Sequence, residues 1–281
     1  MNDSLEYRLR SHLWALAEPR NPDFHLQAHL KARNYLSEVL RQQGRGVVQQ
    51  SFETADAGHG VNLIGESVEP SQVLLVAHYD TVTDSPGADD NGSAVAVALE
   101  VAARCPKVEV LLPDLEETGL WGSRHYVAKL THPPKLTVVL ESVGFWTDLP
   151  HSQSVPKFFP QAFPEVHAQL ERRDFRGDFL ALLHLTPDDE AADRLATTLT
   201  LPTLRVPIAP HSLSGPAAEQ LSDFGRSDHL AFWEQGHPCL MLTDTANFRN
   251  PNYHLPSDTV ETLDFHRMAT LVEGLAAFFN G

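Results

Sequence analysis

The sequence predicts an α/β fold, with a mostly parallel central sheet flanked by helices on both faces. Three observations carry this. Apolar runs such as "QVLLVAHYD" and "KLTVVLESVG" show no period-two alternation, as expected of strands buried on both faces. Longer segments between them have helical spacing of apolar residues. Strand and helix segments alternate along much of the chain, the pattern of parallel strands joined by crossover helices.

The elements follow in order. "NDSLEYRLRSHLWALA" carries apolar residues at helical spacing, and Pro19 follows it. "FHLQAHLKARNYLSEVLRQQG" is a second amphipathic helix, closed by Gly44. "VVQQSFE" and "VNLIGE" form an antiparallel pair of strands. "QVLLVAHYD" is a buried strand, "NGSAVAVALEVAARC" a helix, "KVEVLLPD" a strand, "GSRHYVAKL" a helix and "KLTVVLESVG" a strand. From about Phe145 to Gly225 the periodicity weakens and prolines accumulate. Helices are expected there around Asp178–Leu185 and Asp188–Leu199. "HPCLMLTD" returns to a strand, and "DFHRMATLVEGLAAFF" is a final amphipathic helix. No internal repeat, low-complexity segment or linker divides the chain, so a single domain over 1–281 is expected.

Composition narrows the function. The 281 residues are 42% hydrophobic, enough for a sizeable core. Acidic residues outnumber basic ones 37 to 21, giving a net charge of −16. No basic run supplies the patch that phosphate binding needs, so nucleic-acid partners are excluded. "MNDSLEYRLRSHLWALAEPR" has no apolar core of signal-peptide length, and no stretch approaches the ~20 apolar residues of a membrane span. The expectation is a soluble cytoplasmic protein with no membrane partner. Cys105 and Cys239 are far apart and are expected as buried free thiols.

Two stretches set acids side by side: Asp89 and Asp90 in "SPGADDNGS", and Glu116 and Glu117 in "PDLEETGLWGS". Neighbouring carboxylates must repel, take up protons or face a cation, and no nearby Lys or Arg is an obvious partner. "HYD" ends a buried strand, and period-two geometry puts His78 and Asp80 on one face. Asp80 is thus placed to accept the second ring N–H of His78. Asp90 lies in a Gly-rich loop leading into a helix. Glu116 and Glu117 follow the next strand, and Glu141 the strand after that. In an open α/β sheet, ligands gather at the carboxyl ends of strands. Imidazole with carboxylate suits zinc or a similar divalent ion, and the surplus of acids suits two ions sharing a carboxylate.

The motifs "HYDTVTDSPGADDNGS", "LEETGLWGS", "VVLESVG", "GRSDHLAFWEQGHPCLML" and "NPNYHLPSDTVETLD" together resemble the co-catalytic zinc aminopeptidase family. That family includes bacterial leucyl aminopeptidases, glutamate carboxypeptidase II and the divergent glutaminyl cyclases. The likeness runs in order from roughly Val61 to the C-terminal helix. It implies a metal-dependent aminopeptidase acting on peptides, with two zinc ions per chain. It implies His78, Asp90, Glu117, Glu141 and His254 as metal ligands, with Asp90 bridging. It implies Glu116 as general base, Asp80 as a supporting acid and Tyr253 as a donor to the tetrahedral intermediate. The family more usually has Asp where this chain has Glu141. Residues 145–225 would wall the pocket, with Phe158, Phe159 and Phe163 as apolar candidates.

Other polar residues are assigned lesser roles. Asp89 is expected to cap or solvate its loop. Asp228 and His229 fit both an N-cap and a supporting position. His59, His125 and His211 are expected as ordinary surface or half-buried residues, and Trp121 as packing. A single-zinc glutaminyl cyclase is the alternative. It shares the H-x-D, G-A-x-D and paired-glutamate motifs, but tends to place Trp where this chain has Tyr253. A scaffold without catalysis would have lost Glu116. Deacylases of the carboxypeptidase type usually carry a dimerisation domain, which nothing here resembles.

Overall fold

The structure, a computed structural model, describes residues 4–70, 72–214 and 219–281. One eight-stranded mixed sheet organises them. The strands are β1 (Val47–Thr54), β2 (Gly58–Gly65), β3 (Val73–Val76), β4 (Val108–Leu112), β5 (Leu136–Glu141), β6 (Leu180–Leu185), β7 (Thr203–Ile208) and β8 (Cys239–Thr243). Their order across the sheet is β1-β2-β4-β3-β5-β8-β6-β7. The central strands β4, β3, β5 and β8 run parallel. A β1–β2 hairpin joins one edge antiparallel. At the other edge β6 pairs antiparallel with β8 and parallel with β7.

Period-two geometry sorts the buried strands into two cores. Leu75 and Ala77 of the β3 segment face one core, Leu74 and Val76 the other. The first core lies under the helices Leu5–Leu16, Ala94–Ala102, Asp189–Thr198 and Phe265–Asn280. Leu9, Leu13 and Leu16 show why the first of these forms and docks: they recur at helical spacing and are fully or nearly fully buried. Each such burial contributes roughly 1.5–3 kcal/mol. Ser4 caps this helix by accepting from the Tyr7 amide. Gly44, at φ +78°, terminates the helix Leu26–Gln42 in the left-handed conformation that a Cβ would strain. The second core lies under Trp121–Ala128, Pro164–Arg172 and His229–Glu234.

One expected element is corrected. Asp178–Leu185 is not a helix: Leu180–Leu185 is the strand β6. Its run "LALLHL" is buried at every position, so periodicity could not separate a buried helix from a buried strand. Strand β7 was likewise not foreseen, whereas the expected helix near Asp188–Leu199 is present as Asp189–Thr198. Cys105 and Cys239 are buried and free. No described helix is long and apolar enough to cross a membrane.

The helix Ala94–Ala102 is buried on all sides, and even its Glu100 is 4% exposed. Arg104 and Arg8 pair with Glu100 at 2.7 and 3.1 Å, and His12 Nε2 lies 3.2 Å away. Burial alone would raise this carboxyl, but hydrogen bonds from His12, Arg104 and Arg8 hold it near pKa 2. Glu100→Gln removes the anion that Arg8 and Arg104 share among the described residues. It is expected to lower unfolding free energy by about 3 kcal/mol at pH 7, measured by urea denaturation. Because the folded pKa lies below the ordinary value of 4.5, the stabilisation is present above pH 4.5 and is lost as pH falls toward 2. The gap between the two proteins should close over that window.

Candidate active site at the carboxyl edge of the sheet

Three adjacent parallel strands, β4, β3 and β5, end at one edge and deliver the acids there. Pairing continues past β3: the Ala77 amide donates to Leu111 O and the Tyr79 amide to Pro113 O, which fixes His78 between them. Glu116 and Glu117 come from the turn after β4, and Glu141 ends β5. Asp90 comes from the irregular turn leading into Ala94–Ala102, where its bond to Asn91 is cis. His254 comes from the loop that follows β8.

These side chains converge as two groups. The ligand atoms of His78, Glu116 and Glu141 all lie within 4.8 Å of one another, and so do those of Asp90, Glu117 and His254. Asp90 joins the groups: its Oδ1 lies 3.4 Å from His78 Nε2 and its Oδ2 2.9 Å from His254 Nε2. His78 Nε2 is also 3.4 Å from Glu141 Oε2 and 3.7 Å from Glu116 Oε2. His254 Nε2 is 3.3 Å from Glu117 Oε2. Despite these approaches, both ring nitrogens of His78, His254 Nε2 and Asp90 Oδ2 are buried without a hydrogen-bond partner. Donor atoms that crowd together without bonding one another fit common centres between them. Nitrogen and carboxylate donors of this kind suit zinc.

The electrostatics point the same way. Burial would lower the His78 imidazole, but Glu116, Glu141, Asp80 and Asp90 hold it well above its ordinary value. Burial lowers His254 too, yet Asp90 and Glu117 raise it to about 10. Burial raises Glu116 well above the ordinary range, with Glu141 and Glu117 adding to it. Burial and the Asp90 carboxylate raise Glu117 to about 7. Buried acids that raise both imidazoles and one another's carboxyls make a site that favours a cation.

Backbone clamps hold the acids in place. Asp80 accepts the amides of Glu116 and Glu117 at 3.1 and 3.2 Å, one on each oxygen. Its approach to His78 Nδ1, at 3.4 Å, is longer than the bond the sequence led us to expect. Asp258 does the same for the other pair, accepting the Asp89 and Asp90 amides at 2.9 and 3.2 Å. Ser227 donates to Glu141 Oε2 at 2.7 Å. Leu115, Ser142 and His254 each have φ between 44° and 60°, so strained backbone flanks or carries three of the site's side chains.

All eight sequence-derived site residues, His78, Asp80, Asp90, Glu116, Glu117, Glu141, Tyr253 and His254, meet here. Tyr253 stacks on His254 at 3.8 Å between ring centroids and accepts a hydrogen bond from Arg226 Nη2 at 3.2 Å. Asp89 is not a solvated loop residue. It is buried, accepts from the Gly144 amide and Asn250 Nδ2, and faces Asp244. Asp228 occupies the N-cap position of His229–Glu234 without a capping hydrogen bond. It is fully buried near His78, and burial raises its carboxyl to about 7. His59 and His211 are exposed, His125 stacks on Phe52, and Trp121 packs beside Leu115.

Sequence reasoning missed Asp258 and Arg20. Asp258 stands inside the motif "NYHLPSD", and its acid was the available signal. Arg20 gave none. It is fully buried and donates to the carbonyls of Leu16, Tyr79, Pro86 and Gly87, placing a cation under the loop that carries Asp90.

Residues 61–171 and 191–279 match the profile of peptidase family M28. The chain belongs to peptidase family M28. It is 31% identical to the uncharacterized protein YfbL of Escherichia coli, over 97% of this chain and 86% of that one. It is 26% identical to the aminopeptidase YwaD of Bacillus subtilis, over 82% of this chain but about half, 47%, of that one. The zinc aminopeptidase BSAP of Bacillus subtilis shares the fold, with TM-score 0.66 at 16% identity over 97% of this chain and 94% of that one. A glutaminyl cyclase of Porphyromonas gingivalis shares it too, with TM-score 0.60 at 18% identity over 99% and 97%.

Asp258→Asn tests the second clamp. An amide keeps one acceptor but turns an N–H toward the other backbone amide. Zinc affinity, measured by calorimetric titration, should fall by about 10–100-fold while the folded spectrum is retained.

Proposed function

We propose that this chain is a metal-dependent aminopeptidase that releases N-terminal residues from peptides, using two zinc ions and Glu116 as base. The observation that carries the reading is Asp90, which turns one carboxylate oxygen toward each of two histidine-containing groups. His78, Glu141 and Asp90 would hold one ion, and Glu117, His254 and Asp90 the other. Bound there, the ions would supply Lewis acidity, activating the attacking water and polarising the scissile carbonyl.

The chain's own residues do the rest. Glu116 is buried in the group of His78 and Glu141, and its raised pKa suits a carboxyl that must both take up and release a proton. It would accept the water's proton and pass it to the leaving amine. Burial raises the Tyr253 phenol, so it remains a donor. Arg226 only donates, so its bond to the Tyr253 oxygen leaves the phenolic proton free for the oxyanion. Glu116 and Glu141 would receive the peptide's charged amine. The whole chain is read as one catalytic domain, with residues 145–225 building the pocket.

Two measurements test this. A short peptide and its N-acetylated twin are compared at equal concentration for release of the first residue. The free peptide should be cleaved and the acetylated one should not; equal rates would exclude an aminopeptidase. Glu116→Gln keeps the side chain's size and removes the acid–base function. It should retain close to two zinc ions by elemental analysis and lose about 100-fold or more in kcat. Loss of a zinc ion on this change would exchange the roles of Glu116 and Glu117, and one ion in the wild type would favour the cyclase chemistry.

A further inference from the structure

Arg20 lies outside residues 61–171 and 191–279, the stretches that match the family profile. It is nevertheless buried almost completely, at 1% exposure. Its guanidinium bonds backbone carbonyls. Nε donates to Tyr79 O at 2.6 Å, Nη1 to Pro86 O at 2.7 Å and Leu16 O at 2.9 Å, and Nη2 to Gly87 O at 3.1 Å. Tyr79 directly follows His78, and Gly87 opens the turn that carries Asp90. One planar group thus spans the two ends of the segment 79–87. Among the described residues no backbone amide reaches Tyr79 O or Pro86 O. Buried carbonyls without a donor are costly, so this segment needs donors from elsewhere, and Arg20 supplies them.

Arg20 is itself seated through its own backbone. Its amide donates to Thr81 Oγ1 at 2.9 Å. Its carbonyl lies 3.0 Å from His29 Nδ1, and His29 Nε2 lies 3.2 Å from Asp114 Oδ2. The next residue, Asn21, donates from Nδ2 to Thr81 O at 3.2 Å. The Asp90 turn closes tightly on the guanidinium. Gly87 stands at φ +58°, and a Cβ there would come within 2.4 Å of Asp90 O and 3.3 Å of Arg20 Nη1. Burial lowers the guanidinium to about 10, while the charges of Asp80, Asp258, Asp90 and Glu117 oppose that fall, so it stays a cation at neutral pH. The same group therefore joins two backbone segments and faces four of the site's acids.

We propose that Arg20 is a positioning residue for the candidate metal centre: its fork fixes the distance between the segment of His78 and the turn of Asp90, and so holds Asp90 where its two oxygens serve both ions. The proposal rests on the two-ion reading and deepens it. Asp90 Oδ1 stands 3.4 Å from His78 Nε2 and its Oδ2 2.9 Å from His254 Nε2. Shared ligation needs both approaches at once, so the turn has to stay in one place. Asp258 holds that turn by the Asp89 and Asp90 amides, and Arg20 holds it by the Pro86 and Gly87 carbonyls just before them. Charge alone does not do this. A lysine would keep the cation, but as a point charge on a flexible stem, without the planar fork that reaches Tyr79 O and Gly87 O together.

The test is calorimetric zinc titration of the metal-stripped wild type and of Arg20→Lys, Arg20→Met and Leu40→Ala, each checked for folding by circular dichroism. The wild type should take up two ions. Both Arg20 variants should lose about 10–100-fold in affinity for at least one of them, the usual cost of removing a group that orients a metal ligand. Leu40 is fully buried against Gly65, which lies toward the amino end of β4. Leu40→Ala therefore lowers stability by leaving a cavity, and it should keep zinc affinity within about threefold, as distant sites act independently. An Arg20→Met protein with wild-type affinity would overturn the proposal. So would wild-type affinity in Arg20→Lys, which would leave only the charge, or an equal loss in Leu40→Ala, which would leave only stability. If neither Arg20 variant folds, Thr81→Val decides. It keeps the side chain's shape and removes the acceptor of the Arg20 amide. It should weaken zinc binding by about threefold or more, the worth of one hydrogen bond, and unchanged affinity would overturn the proposal. A wild type that binds fewer than two ions defeats the two-ion reading, and this proposal with it. Two ions bound equally well by the wild type and every variant defeat this proposal alone.

Discussion

The structure turns on one constraint: at least six carboxylates, those of Asp80, Asp90, Glu116, Glu141, Asp228 and Asp258, are buried around one edge of a sheet. Like charges so placed repel strongly in a medium that screens poorly. The raised pKa values of Glu116, Glu117, Asp228 and Asp258 are the signature of that repulsion together with burial. Arg20 offsets part of it from below, but its guanidinium is committed to backbone carbonyls. The remaining charge has to be met from the open side, where the two histidines and the candidate ligand oxygens converge.

Such a cluster forms only if the backbone holds it against its own repulsion. Asp80 and Asp258 do this in the same way. Each uses both oxygens to accept two consecutive amides, and each pair of amides belongs to a pair of acids. The arrangement gives each clamping carboxylate two donors and fixes the direction of the side chains that follow. The left-handed φ angles at Leu115, Ser142 and His254 are tolerated within this frame. Their strain is local, while the clamps span elements distant in sequence.

The candidate ligands were legible because each sits in a short motif whose resemblance to a known family implied its role. A strand fixes direction, so His78, Glu116, Glu117 and Glu141 could be sent to one edge from apolar runs alone. What surrounds them was not legible. A carboxylate's identity shows in sequence, but the donors it accepts from do not, so Asp258 was passed over and Asp89 was expected to cap or solvate its loop. Arg20 sits between helices with no periodic signal. The far edge of the sheet failed for another reason. "LALLHL" is uniformly apolar, and only its neighbours β8 and β7 decide that it is extended.

That unreadable edge shapes the site as much as the motifs do. Had the sheet ended at β8, Glu141 and Thr243 would border solvent. Instead β6 enters antiparallel to β8, so its amino end, not its carboxyl end, lies at the active edge. An antiparallel strand brings no loop of its own from the strand's carboxyl end to that edge, and Ala181, Leu183, Leu204 and Val206 present an apolar surface there. The register then places Ala181, a residue without bulk, directly beyond Thr243. The buried acids and the apolar β8–β6–β7 surface meet at that reversal of strand direction.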